Sequence, residues 1–92
     1  METKWTEEAE VTFDAIYSFI ENNWNSIVAE DFRYKVQELL ATLFARPLTF
    51  PETNIPNIRK AAITKQTFLF YEVEESRVIL LFFWDKVQKP LL

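Results

Sequence analysis

Ninety-two residues, with 49% apolar and 26% charged side chains, describe a single folded domain over residues 1–92 rather than a disordered chain. Cys, His and Gly are all absent. Their absence excludes disulfides, thiolate nucleophiles and zinc–thiolate sites, the commonest general base and metal ligand, and every glycine-rich phosphate loop. No metal and no cofactor is therefore expected. The net charge of −4 makes direct nucleic-acid binding weak in expectation, since Lys and Arg supply most of that affinity.

A short N-terminal strand leads to Thr6, an N-cap type, and Glu7, Glu8 and Glu10 suit the positive end of a helix dipole. Ala9, Phe13, Ile16, Tyr17, Ile20 and Trp24 recur at three- and four-residue spacing, one face of an amphipathic helix. Asn22-Asn23 is a natural stop, because Asn tolerates the left-handed conformation. Asn25 or Ser26 caps a second helix with the stripe Val28, Ala29, Phe32, Val36, Leu39, Leu40 and Leu43. It should end near Arg46, ahead of Pro47. The short connection makes the pair an αα-hairpin. Pro47, Pro51 and Pro56 mark a loop.

Three strands are predicted next, over Ile58 to Ile63, Thr67 to Val73 and Arg77 to Trp84. Their short polar separators imply antiparallel hairpins with turns of type I geometry. Strict alternation puts Leu69, Tyr71 and Val73 opposite Phe68 and Phe70, and Val78, Leu80, Phe82 and Trp84 opposite Ile79, Leu81 and Phe83. Both faces are then apolar, yet two helices cover only one. The second face calls for the tail Pro90-Leu91-Leu92, another copy of the chain, or a partner. The expected fold class is α+β, an αα-hairpin packed on a small antiparallel sheet in the order β-α-α-β-β-β. Val78 to Trp84, the longest apolar run, is too short to span a bilayer, and Met1-Glu2-Thr3-Lys4 does not open a secretory signal. No membrane association is expected, and a cytoplasmic location is.

Local sequences carry a more specific signal. Trp5-Thr6-Glu7-Glu8-Ala9, Asn57-Ile58-Arg59, Phe70-Tyr71-Glu72-Val73 and Ile79-Leu80-Leu81-Phe82-Phe83-Trp84-Asp85 together resemble the RelE/ParE toxin superfamily over roughly residues 4–90. The resemblance implies the toxin half of a bacterial type II toxin–antitoxin module of the plasmid-stabilisation kind, neutralised by a cognate antitoxin. RelE-like members cleave mRNA on the ribosome, whereas ParE-like members poison DNA gyrase and are not nucleases. The ribonuclease branch uses Lys and Arg on the meander, a basic residue after the last strand, and often a terminal Tyr or His. Here the position before the Leu-x-Tyr step is Phe68, the tail carries Val87, and no Tyr follows Tyr71. Cationic candidates are Arg59, Lys60, Lys86 and Lys89, but no general base accompanies them.

The resemblance thus favours the ParE side, with DNA gyrase as target. A ribosome-dependent mRNA interferase and an inactive relative that binds only antitoxin or itself, as a homodimer, are the alternatives. Arg59 and Lys60, being adjacent, face opposite sides of a strand, so only one can join Lys86 or Lys89. Glu7, Glu8 and Glu10 read as dipole-complementing surface acids, Tyr71 as a core ring with a satisfied hydroxyl, and Asp31–Lys35 as a surface pair. Trp5, Trp24 and Trp84 read as packing residues.

Overall fold

A computed structural model describes residues 2–86. Strand β1 (Glu2–Trp5) is followed by helices α1 (Glu7–Asn23) and α2 (Ser26–Ala45), then strands β2 (Ile58–Ala62), β3 (Thr67–Val73) and β4 (Arg77–Asp85). The sheet order is β1-β4-β3-β2. The meander β2-β3-β4 is antiparallel, as expected, while β1 joins β4 in parallel and makes the sheet mixed. This is the α+β architecture of the sequence reading. Val87, Lys89 and the tail Pro90-Leu91-Leu92 lie outside the described residues.

The helices begin where their caps dictate. The Thr6 hydroxyl accepts from the Ala9 amide at 3.1 Å, and Asn25 Oδ1 accepts from the Val28 amide at 2.9 Å. At the end of α1 no residue turns left-handed. Asn23 instead donates its side-chain amide to the Phe19 carbonyl, and Trp24 closes the helix with an extended-side φ of −126°. The one left-handed non-glycine residue described is Asn57, at φ 71°, on the approach to β2. Neither meander turn needs a positive φ. The first is held by the Thr64 hydroxyl, which accepts from the Gln66 and Thr67 amides, each at 3.1 Å.

The core fills the space between the hairpin and one sheet face. Ala9, Phe13 and Ile16 of α1 and Phe32, Val36, Leu39 and Leu43 of α2 pack on Ala61, Leu69, Tyr71, Val78, Leu80 and Phe83. Phe13 is its hub, with ring centroids of Trp5, Phe32 and Phe83 at 5.9, 5.6 and 5.7 Å. Trp24, expected in the core, is 61% exposed; sitting beyond the last helical turn, it leaves the apolar stripe and meets Phe19 edge-on. Val28 is likewise exposed.

The strict alternation expected for β4 fails at one residue. Phe70 pairs with Phe82, but Tyr71 pairs with Leu80, so Leu81 is an extra residue, a β-bulge. Before it, Val78 and Leu80 point to the helices; after it, Phe83 and Asp85 do, and Phe82 and Trp84 turn outward. The bulge sits where β4 outruns β1. With β1 ended, Thr6 and Thr12 of the helical segment take over as partners of β4. The Thr6 hydroxyl lies 2.7 Å from the Leu80 carbonyl and 3.0 Å from that of Leu81, and the Phe83 amide donates to Thr12 Oγ1 at 2.8 Å.

Candidate functional site

The sheet face turned away from the helices carries Ile58, Lys60 and Ala62 from β2, Phe68, Phe70 and Glu72 from β3, and Ile79, Leu81, Phe82 and Trp84 from β4. Alternation along β2 and its register with β3 decide which basic residue stands here. Lys60 opposes Phe70 and faces outward, whereas Arg59 opposes the buried Tyr71 and faces inward. Lys60 Nζ lies 4.3 Å from the Phe68 ring centroid and 5.9 Å from that of Phe70. Lys86 Nζ, arriving from the end of β4, lies 5.6 Å from the same Phe68 centroid. Of the four cationic candidates, the structure therefore gathers Lys60 and Lys86 over one ring, removes Arg59 to the opposite face, and leaves Lys89 outside the described residues.

Arg59 has a structural partner. Its Nη1 donates to the Phe50 carbonyl at 2.7 Å, while the Tyr71 hydroxyl donates to the Pro47 carbonyl at 2.9 Å. Together they fasten the proline-rich loop over the edge of the sheet, helped by a bridge between Glu52 and Arg59 and by the Lys60 amide donating to Pro51 O at 3.2 Å. Burial pushes the Tyr71 phenol above its ordinary value, with the Arg59 charge pulling the other way. Tyr71 is thus the satisfied core ring its sequence context implied.

Beside the lysine pair, Thr53, Asn54 and Ile55 of the loop and Ile58, Phe70, Leu81 and Phe82 of the sheet enclose an apolar groove of about 300 Å³. The Phe70 and Phe82 rings stack in its floor at 4.7 Å, and Ile55 at its lip is 61% exposed. The indole N–H of Trp84, which opposes Phe68 on this face, is shielded from solvent without an acceptor among the described residues. A shielded donor left unpaired costs about 1–3 kcal/mol. Another cavity, about 200 Å³, opens between the helix hairpin and the β2–β3 turn, lined by Phe19, Trp24, Phe32, the Asp31–Lys35 pair and Asp85. Lys35 Nζ stands 3.1 Å from Asp31 Oδ2, the surface pair expected from the spacing.

The chain matches the family model described as ParE toxin of type II toxin–antitoxin system, parDE, over residues 3–90. It belongs to the ParE toxin family. Its fold is also that of several solved toxins. The chromosomal ParDE system from P. aeruginosa superposes with a TM-score of 0.78 at 19% identity, covering 92% of this chain and 95% of that one. The YoeB/ParE toxin from Agrobacterium tumefaciens gives 0.65 at 15% identity, covering 92% and 98%. The E. coli DinJ–YafQ complex gives 0.63 at 9% identity, covering 95% and 94%. At these identities the likeness is one of fold. No curated protein sequence matches the chain.

Set in this ParE framework, the outer face is mainly an apolar, aromatic surface with the Lys60 and Lys86 ammonium groups gathered at Phe68, not a cationic cleft. Sequence reasoning placed Lys60 and Lys86 as candidates but missed the groove formed with Ile55, because its depth depends on how the loop folds back along β2. It also missed the tie between the helices, in which the Tyr17 hydroxyl donates to Glu30 and the Arg33 guanidinium lies 4.8 Å from the Tyr17 ring centroid. Among the described residues no helix is long and apolar enough to cross a membrane, and no acidic cluster could hold a metal.

Proposed function

We propose that this ParE-family chain is a toxin acting by binding protein rather than by cutting RNA, with DNA gyrase as its target and a cognate antitoxin covering its outer sheet face. The observation that supports this reading most is the composition of that face. Phe68 occupies the position where the ribonuclease branch often carries Arg, and Arg59 is engaged by the Phe50 carbonyl on the far side of the sheet. Cleavage through a 2′-hydroxyl needs a base, an acid and cationic stabilisation of the developing charge. Two lysines over a phenyl ring supply only the last. The same surface, apolar and grooved, suits a protein segment that buries side chains.

The test is induction of the chain without its antitoxin, followed by purified-component assays. Growth arrest, inhibited DNA supercoiling by gyrase and intact transcripts are expected. Codon-dependent mRNA cleavage on ribosomes that disappears with Lys60→Ala or Lys86→Ala would replace this reading with the interferase one.

A further inference from the structure

We infer that Lys60 and Lys86 form a carboxylate-recognition subsite beside the apolar groove, so that the outer face selects a peptide segment carrying an Asp or Glu flanked by apolar side chains. This rests on the protein-binding reading above and adds to it the chemistry that the partner must present. The two ammonium groups lie 4.3 and 5.6 Å from one ring centroid, that of Phe68. Among the described residues, the ion pairs involve Arg33, Lys35 and Arg77, and neither Lys60 nor Lys86 has a carboxylate partner. The acids of this face stand apart from Phe68: Glu72 is four residues along β3, about 13 Å away at the rise of a strand, and Glu2 of β1 pairs with Arg77 at the far end of β4. The Trp84 indole N–H, on the same face across from Phe68, is shielded from solvent and has no acceptor among the described residues, so it adds no competing acid to this corner. Two ammonium groups are thus concentrated at Phe68, and the anion that would balance them is not supplied by the described part of the chain.

The groove fixes the rest of the ligand. Lys60 also reaches over Phe70, whose ring lines the groove with Phe82, Leu81, Ile58 and Ile55, so a carboxylate at the lysines places its neighbouring side chains there. A nucleic-acid phosphate would satisfy the lysines but not the surroundings. Base stacking needs open ring faces. Phe68 already has a lysine over its ring, and Phe70 and Phe82 stack on each other. The chain's net charge of −4 opposes a polyanion as well. Apolar burial in the groove provides affinity, and the carboxylate provides selection and register.

The experiment pans random short peptides displayed on phage against the immobilised full-length chain, then measures selected peptides by calorimetry. Enriched peptides should carry an acid beside apolar residues. Lys60→Met combined with Lys86→Met keeps the aliphatic stems over Phe68 and should weaken binding roughly tenfold, while the corresponding double Arg variant should retain it. Replacing the peptide's Glu by Gln should cost the same in the native chain and nothing in the double Met variant. Native-like melting of both variants establishes that folding is intact. Enriched peptides without acids, absence of any enrichment, or no coupling in that cycle overturns the subsite. So does a uridine-rich single-stranded RNA that displaces the peptides at micromolar concentration. An antitoxin that relieves growth arrest with an affinity indifferent to both lysines would leave the toxin reading standing and remove the subsite alone.

Discussion

Thr12 offers a sharp perturbation, because one hydroxyl joins a helix to the bulge that builds the outer face. Thr12 Oγ1 accepts from the Phe83 amide at 2.8 Å and donates to the Glu8 carbonyl at 2.7 Å. Phe83 is 2% exposed, so its N–H has no recourse to water if the hydroxyl is lost. Thr12→Val keeps shape and β-branching, with similar helix propensity, and leaves that donor unsatisfied. A buried backbone donor without a partner costs about 1–3 kcal/mol. For a chain of this size, each kcal/mol lowers Tm by roughly 4–8 °C. Urea and thermal melts should therefore show a loss of about 1–2 kcal/mol and a Tm lower by roughly 5–15 °C. Thr12→Ser, which keeps the oxygen, should lose much less. Hydrogen exchange at Phe83 should accelerate in the Val variant beyond the change shared by the rest of β4. A Thr12→Val protein that melts with the native chain and retains Phe83 protection would refute the idea that α1 serves as the partner of β4 past the end of β1.

Three further outcomes follow from other contacts. Glu30 accepts from the Tyr17 hydroxyl and lies beside Arg33, and both interactions hold its carboxyl below the ordinary value. A depressed folded-state value means stability present above the unfolded value and lost as pH falls through the folded one, so Glu30→Gln should flatten the acid limb of a stability-against-pH curve below about pH 4.5. Tyr71 is displaced upward by burial, so its contribution is present below its ordinary value and lost as pH rises above about 10; Tyr71→Phe should remove that alkaline loss in chemical melts, while surrendering about 1 kcal/mol with the Pro47 hydrogen bond. Arg59→Ala should loosen residues 50–57, seen as faster proteolysis there, without changing RNA integrity in induced cells; abolished RNA cleavage would contradict the structural role given to this side chain.

The helices and the meander were legible because their signals are local. Thr6 and Asn25 announce the caps, the spacing from Ala9 to Ile20 announces a helix face, and polar turns bracket the β-rich runs. That Arg59 and Lys60 diverge was legible too, since neighbours on a strand must. Which of them faces outward was not, because the answer depends on pairing Lys60 with Phe70 rather than on composition. Trp24 misled because spacing extends a stripe past the point where the backbone leaves the helix.

The bulge at Leu81 was hidden for a related reason, and it matters most to the site. An extra residue shows in a sequence when it breaks a polar–apolar alternation. Leu80-Leu81-Phe82-Phe83 is apolar at every position, so insertion of one residue leaves no trace in the pattern. Yet it exchanges everything beyond it. Without the bulge, Phe82 and Trp84 would point into the helices, and Phe83 and Asp85 would face outward, setting a carboxylate on the face beside Lys60 and turning Lys86 away from it. With it, Asp85 turns inward beside Thr67, whose hydroxyl lies 3.4 Å from Oδ2, and Phe82 stacks on Phe70 to floor the groove. The positive, apolar character of the outer face is thus a product of register rather than of composition. Register in turn depends on where β1 stops and α1 begins, because Thr6 and Thr12 hold the strand on either side of its extra residue. A sequence that kept all its apolar residues but lost either hydroxyl would retain the family's pattern while weakening the geometry that sets its binding chemistry.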